Sequence, residues 1–217
     1  MRKIKAVIFD LDGTLGNTIP LCIEAFRKSI EPLIGKGITD EEITATFGPS
    51  EEGTIKALAP THYDKGISDY LRWYKNLHFK CPTPFEGIHN LLKFLSKKEI
   101  GIAMVTGKGV HSTKITLDKF GITHFFDIIE TGDSEGPRKQ EGIEKVLKYY
   151  SGLCKNEVVY VGDAPSDIVA CKKTDVPIIA AAWAETVCSE RLIELNPDEI
   201  FYNINDFNNW IKSNVEC

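Results

Sequence analysis

Short apolar runs alternate with longer stretches whose apolar residues recur every three or four positions along most of this chain. Residues 4–9 (IKAVIF) form a run rich in β-branched side chains that stops at Asp10. Such a run suits a strand buried on both faces of a parallel sheet. Similar runs occupy residues 100–105 (IGIAMV), stopping at Thr106-Gly107, residues 157–161 (EVVYV), stopping at Gly162-Asp163, and residues 176–181 (VPIIAA). The intervening spacing predicts helices over residues 87–98, 110–120, 139–150 and 166–174. Strand alternating with helix predicts an open, doubly wound α/β fold with a mostly parallel sheet. Right-handed crossovers would put the carboxyl ends of these strands on one edge, where such sheets bind ligands.

Residues 17–84 break the alternation. They hold no strand pattern, only helical segments over 19–33, 40–47, 53–58 and 63–79, interrupted at Gly48-Pro49 and Ala59-Pro60. The expected organisation is a core of residues 1–16 and 85–217 with an all-helical insertion, residues 17–84. An insertion beside a ligand edge reads as a lid or specificity element ahead of packing material. Its turn Thr46-Phe47-Gly48-Pro49-Ser50 could reach over that edge or simply connect two helices. Two Glu-containing turns, Ser50-Glu51-Glu52 and Ser134-Glu135-Gly136, are too short to be charge blocks.

Composition narrows the partners. The 217 residues are 42% hydrophobic and 26% charged, the balance of a soluble globular chain long enough for one core with an insert. With 26 basic against 31 acidic residues there is no broad positive field for nucleic acid. No run approaches the ~20 apolar residues of a membrane span, and Met1-Arg2-Lys3-Ile4-Lys5 leads straight into the first strand pattern, unlike a secretory signal. Cys22, Cys81, Cys154, Cys171, Cys188 and Cys217 are scattered and form no CxxC pair, so reduced thiols and a cytoplasmic location are expected.

The candidate chemistry lies at the ends of the predicted strands. Asp10 and Asp12 stand two apart in Asp10-Leu11-Asp12-Gly13-Thr14, so in an extended exit they face the same way. Two close carboxylates repel unless a divalent cation or a shared proton relieves them, and Mg²⁺ is the natural solution; the string also fits an acidic Asx turn with Gly13 at positive φ. At Thr106-Gly107-Lys108 a hydroxyl and backbone N–H groups can hold phosphate oxygens at a helix start, or Thr106 can be a plain helix cap. Lys139 opens the helix after Gly136-Pro137, where an ammonium can neutralise a nucleophile and a phosphoryl group together. Arg138 competes for that role, although Lys139, four residues before Ile143, falls on the apolar stripe of Ile143, Val146, Leu147 and Tyr150. Gly162-Asp163-Ala164-Pro165-Ser166-Asp167 places Asp163 for a metal, and Asp167 in the first turn of a helix that it could also cap.

In this order, Asp-x-Asp-Gly-Thr, Thr, Lys and Gly-Asp-x-x-x-Asp form the pattern of the haloacid dehalogenase superfamily, which the chain resembles from end to end. The Gly-Asp-Ala-Pro-Ser-Asp and Val-Thr-Gly-Lys strings, with the helical insertion directly after strand one, look like its phosphoglycolate-phosphatase-like branch. The resemblance implies a Rossmann-like core with a helical cap, and an Mg²⁺-dependent phosphatase acting on a small phosphorylated metabolite such as a phosphoglycolate-like ester, a sugar phosphate or a nucleotide. It implies Asp10 as a nucleophile that is transiently phosphorylated and Asp12 as general acid, then base. Thr106, Gly107 and Lys139 would bind the phosphoryl group, and Asp10, Asp12 (through its backbone carbonyl), Asp163 and Asp167 would surround Mg²⁺. A phosphosugar mutase would use the same core with polar groups in the insertion, for which His62, His78 and Lys56 are candidates. A receiver-type phosphoacceptor domain would need neither the insertion nor Asp163, and a dehalogenase proper would not need Asp12.

Overall fold

The computed structural model describes residues 3–215; Met1, Arg2, Glu216 and Cys217 lie outside the described residues, and with them the expectations for Cys217 and for the first two residues. Six strands, β1 (Ala6–Phe9), β2 (Gly101–Val105), β3 (Ile128–Glu130), β4 (Val158–Gly162), β5 (Ile178–Ala181) and β6 (Glu199–Phe201), form one all-parallel sheet in the order β3-β2-β1-β4-β5-β6. From the central β1 the chain builds outward through β2 and β3 on one side, then returns to add β4, β5 and β6 on the other. The crevice at the carboxyl ends of β1 and β4 is therefore the topological switch point.

Among the described residues ten α-helices accompany the strands: α1 (Ile19–Ile34), α2 (Asp40–Thr44), α3 (Glu51–Leu58), α4 (Tyr63–Leu77), α5 (Ile88–Lys97), α6 (Val110–Phe120), α7 (Lys139–Tyr149), α8 (Pro165–Thr174), α9 (Ser189–Glu194) and α10 (Ile204–Asn214). Alternate residues of the strands feed two cores. Val7, Phe9, Ile102, Met104, Val159 and Val161 face α5, α6 and α10, whereas Ala6, Ile8, Ala103, Val105, Val158 and Tyr160 face α7 and α8. All of β1 is buried, as a strand covered on both faces requires. Between β1 and α5 the chain holds only helices, and α1 to α4 enclose a third apolar cluster around Phe26, Ile30, Ile55, Tyr70 and Tyr74.

Two strands and two helices, β3, β6, α9 and α10, were not anticipated from the pattern. The two strands lie at opposite edges of the sheet, have three residues each and are only half-buried, so no continuous apolar run marks them. The expected helix over residues 40–47 stops at Thr44, and the one expected over 53–58 begins at Glu51. Cys22, Cys81, Cys154, Cys171 and Cys188 form no disulfide. No helix of the described residues is long and apolar enough to cross a membrane.

His78, one of the polar groups offered for a mutase, is a packing residue. It is 2% exposed, lies edge-on to Tyr74 and Phe120, and its Nε2 meets Thr116 Oγ1 at 3.0 Å. Burial, with lesser help from the charge of Lys108, pushes its pKa below the ordinary value. A histidine kept neutral in the fold is protonated more readily in the unfolded chain, so its stabilising effect is complete above about pH 6.5 and is lost as the pH falls below it. The thermal midpoint should drop more between pH 7 and 5.5 in the parent protein than in His78→Gln, as scanning calorimetry would read.

Candidate active site

The register of the three central strands brings the site together. Phe9 pairs with Met104 of β2 and Val161 of β4, so Asp10, Thr106 and Asp163 leave neighbouring strands at nearly one level. Gly13 then turns the chain back at φ 80°, and a Cβ there would stand 2.2 Å from Asp163 Oδ2. Only glycine lets the β1 loop close over the end of β4. Thr14 completes the closure, its hydroxyl donating to Asp163 Oδ1 at 2.8 Å.

Asp10 is 5% exposed and its Oδ1 accepts the Leu11 amide at 2.7 Å. Lys139, at the start of α7, donates to Asp10 Oδ2 at 2.7 Å and to Asp167 Oδ1 at 2.5 Å. Arg138 instead turns outward to Asp133 and Glu141. Helical phase separates the neighbours: side chains one residue apart diverge by about 100°, and the buried side of α7 belongs to Lys139, Gly142, Ile143 and Val146. Burial by itself would lower the Lys139 pKa, but Asp10 and Asp167 outweigh it and hold the ammonium above its ordinary range. Asp167 makes the helix cap that was one of its two readings, and it makes a second contact besides. Its Oδ2 caps α8 by accepting the Ala164 amide at 2.9 Å, while its Oδ1 takes Lys139 and the Tyr160 hydroxyl.

Three carboxylates, those of Asp10, Asp163 and Asp167, offer oxygen atoms within 4.8 Å of one another. Burial first, and then the charges of Asp10 and Asp167, push Asp163 well above the carboxylate range. Asp167 is raised in the same way, with Lys139 opposing. Hard oxygen donors crowded enough to resist ionising together suit Mg²⁺, which relieves that repulsion. The residues present therefore fit the cation.

The carboxylate of Asp12 is outside this cluster. Its Oδ1 accepts from Thr18 Oγ1 at 2.5 Å and its Oδ2 from Lys108 Nζ at 3.2 Å. Lys108 is the residue that sequence reasoning passed over, having used only its backbone. Its side chain is 2% exposed, 3.1 Å from Cys22 Sγ and 4.2 Å from the centre of the Tyr74 ring. Burial lowers its pKa, yet Asp12 first, then Cys22 and Tyr74, raise it well above the ordinary value. Cys22 beside it stays a thiol, since burial pushes it up to about 12 despite the ammonium. One signal was available: Lys108 stands two positions after Thr106 at a strand end, the spacing that returns a side chain to the same side.

Asp10, Asp12, Cys22, Lys108, Lys139 and Asp163 line one cavity of about 150 Å³ between the strand ends and the helices that follow β1. Thr106, Gly107 and Ser166 line its sheet side, and Ile19, Phe26, Phe47, Pro49, Glu51 and Tyr70 line the other. The turn that holds Gly48 and Pro49 does reach the cavity. His62, His78 and Lys56 do not line it; Lys56 pairs with Glu135 and Ser134. Glu51, read from the sequence only as part of a short acidic turn, is a buried member of the cavity wall.

Comparison with known proteins gives a family and a fold. The family of haloacid dehalogenase-like hydrolases matches residues 7–181. The chain is 30% identical to the pyrophosphatase PpaX of Halalkalibacterium halodurans, over 84% of its own length and 85% of that protein. It is 28% identical to the pyrophosphatase PpaX of Listeria monocytogenes, over 94% of each. Among solved structures, a haloacid dehalogenase-like family hydrolase from Streptococcus pneumoniae superposes with a TM-score of 0.77 at 24% identity, covering 95% of this chain and 98% of the other. A hydrolase from Pseudomonas syringae gives 0.80 at 18% identity, covering 98% and 100%.

Proposed function

The chain belongs to the haloacid dehalogenase-like hydrolase family and is a hydrolase acting on phosphate esters; from that premise we propose that it is an Mg²⁺-dependent phosphatase that cleaves a small phosphomonoester through an aspartyl phosphate on Asp10. Residues 17–84 act in this reading as a helical cap over a core of residues 1–16 and 85–217. The observation that carries it is the separation of two carboxylates of one loop. Asp10 faces Lys139 and the acidic cluster, while Asp12 faces Lys108 and Thr18.

An oxygen of Asp10 attacks phosphorus and the bond from phosphorus to the leaving oxygen breaks, which divides one displacement into two easier ones. Asp12 supplies the proton that the leaving oxygen takes. Water then attacks phosphorus, Asp12 receives its proton, the bond to Asp10 breaks and inorganic phosphate leaves. Lys139 and Thr106 position the phosphoryl oxygens, and Thr18 and Lys108 orient Asp12. Mg²⁺, held by Asp10, Asp163 and the Asp12 carbonyl with Asp167 behind them, would screen the carboxylates from the phosphate dianion. Catalysis of this kind is mainly positioning and charge stabilisation.

Hydrolysis of p-nitrophenyl phosphate should therefore require Mg²⁺ and stop in EDTA. Full activity in EDTA would remove the proposed role of the acidic cluster. Release of inorganic phosphate should match loss of substrate, whereas an isomerised sugar phosphate with little free phosphate would establish a mutase.

A further inference from the structure

One side chain of the cavity wall has no part in the chemistry above. Glu51, the first residue of α3, is 5% exposed and lines the cavity. Its Oε2 accepts the Gly109 amide at 2.7 Å, ahead of α6. Its Oε1 is buried and has no hydrogen-bond partner among the described residues. A carboxylate oxygen taken from water without a donor is costly, so a donor that enters the cavity with the substrate gains what the fold leaves unmet.

The surroundings of Glu51 select the kind of donor. The cavity wall holds four carboxylates, Asp10, Asp12, Glu51 and Asp163, and two ammonium groups, Lys108 and Lys139. Both ammonium groups already pair with aspartates at the reacting centre. The rings of Phe26, Phe47 and Tyr70 line the same side as Glu51, with Phe26 4.2 Å from Tyr70 and 6.0 Å from Phe47 between ring centres. A half-satisfied carboxylate among aromatic rings is the chemistry that recognises an ammonium group. A second phosphate or a carboxylate on the leaving group would instead bring negative charge against Glu51. A cavity of about 150 Å³ admits a short alcohol more readily than a nucleoside.

We infer that Glu51 is a specificity-determining residue, and that the substrate is the phosphomonoester of a small amino alcohol whose protonated amine meets Glu51 Oε1. This rests on the phosphatase reading of the same site. The two are separated by measuring kcat/KM with Mg²⁺ for O-phosphoethanolamine, its uncharged isostere n-propyl phosphate, 2-hydroxyethyl phosphate, phosphoglycolate and pyrophosphate, beside p-nitrophenyl phosphate. O-phosphoethanolamine should exceed n-propyl phosphate by about 10- to 100-fold, the effect of one hydrogen bond to a charged group, chiefly through KM. That ratio should fall close to one in Glu51→Gln. A higher kcat/KM for 2-hydroxyethyl phosphate, phosphoglycolate or pyrophosphate than for O-phosphoethanolamine would overturn the inference. So would a ratio unchanged by Glu51→Gln, which would leave Glu51 as a tie between α3 and α6. The parent ranking decides even should the variant not fold. Absence of p-nitrophenyl phosphate turnover would overturn the phosphatase reading itself.

Discussion

Asp10→Asn is expected to lower kcat by about 10⁴-fold or more, because nothing else in the cavity replaces a nucleophile that acts as one unit with its partners. Asn is nearly isosteric, so the Leu11 amide can still find an oxygen acceptor, while the charge opposite Lys139 disappears. The variant should fold and bind phosphate esters but take no phosphoryl label from a substrate with a good leaving group. Asp12→Asn differs in kind. It keeps Asp10 and its neighbours but removes the proposed proton donor and water activator, the carboxylate held by Thr18 and Lys108. With a substrate that needs no proton on departure, Asp12→Asn should form the aspartyl phosphate and release it slowly. Acid-quench labelling of the two variants is the measurement, and equal labelling would contradict the division of roles.

The second large effect is that of Lys139→Ala, for which kcat should fall by about 10² to 10³, the usual loss for one charge-stabilising donor in a sheltered site. Arg138→Ala should change kcat by less than about tenfold, since its guanidinium is on Asp133 and Glu141 at the surface. The lysine also separates Asp10 from Asp167, and removing one partner of a buried ion pair leaves uncompensated charge. Lys139→Ala should thus melt at a lower temperature in EDTA and recover part of the difference in Mg²⁺. Circular dichroism distinguishes this from unfolding, and the reverse ranking of two folded variants would move the catalytic cation to Arg138.

The sequence showed the four central strands clearly because each is buried on both faces and must be apolar nearly throughout, as Ala6–Phe9 is. Helical phase alone separated Lys139 from Arg138, since being one residue apart fixes where a side chain points. What the sequence could not show depends on contacts between remote segments. Glu51 and Gly109 are 58 residues apart, and nothing local to either predicts that a buried carboxylate will meet that amide. The side chain of Lys108 had no role in the sequence pattern because its burial comes from Cys22 and Tyr74, carried on α1 and α4. The edge strands β3 and β6 are stabilised by a neighbour on one side only and carry too few residues for a period to register.

The central place of β1 sets the order in which the molecule can be made. Ala6 pairs with Gly101 and with Val158, so β1 leaves the ribosome before either partner and must wait for strands that lie far along the chain. At about 5 to 20 residues per second, the second of them appears roughly 8 to 30 s after β1. Meanwhile α1 and α4 can pack around Phe26, Tyr70 and Tyr74 from segments only tens of residues apart, a closure with a small entropic cost. Asp10 thus acquires Lys139, Asp163 and Asp167 as neighbours only once the chain has been made through the start of α8. A nascent fragment ending before Val158 would expose a sticky apolar β1 edge and would lack the Asp163 and Asp167 part of the acidic cluster on which the proposed chemistry depends.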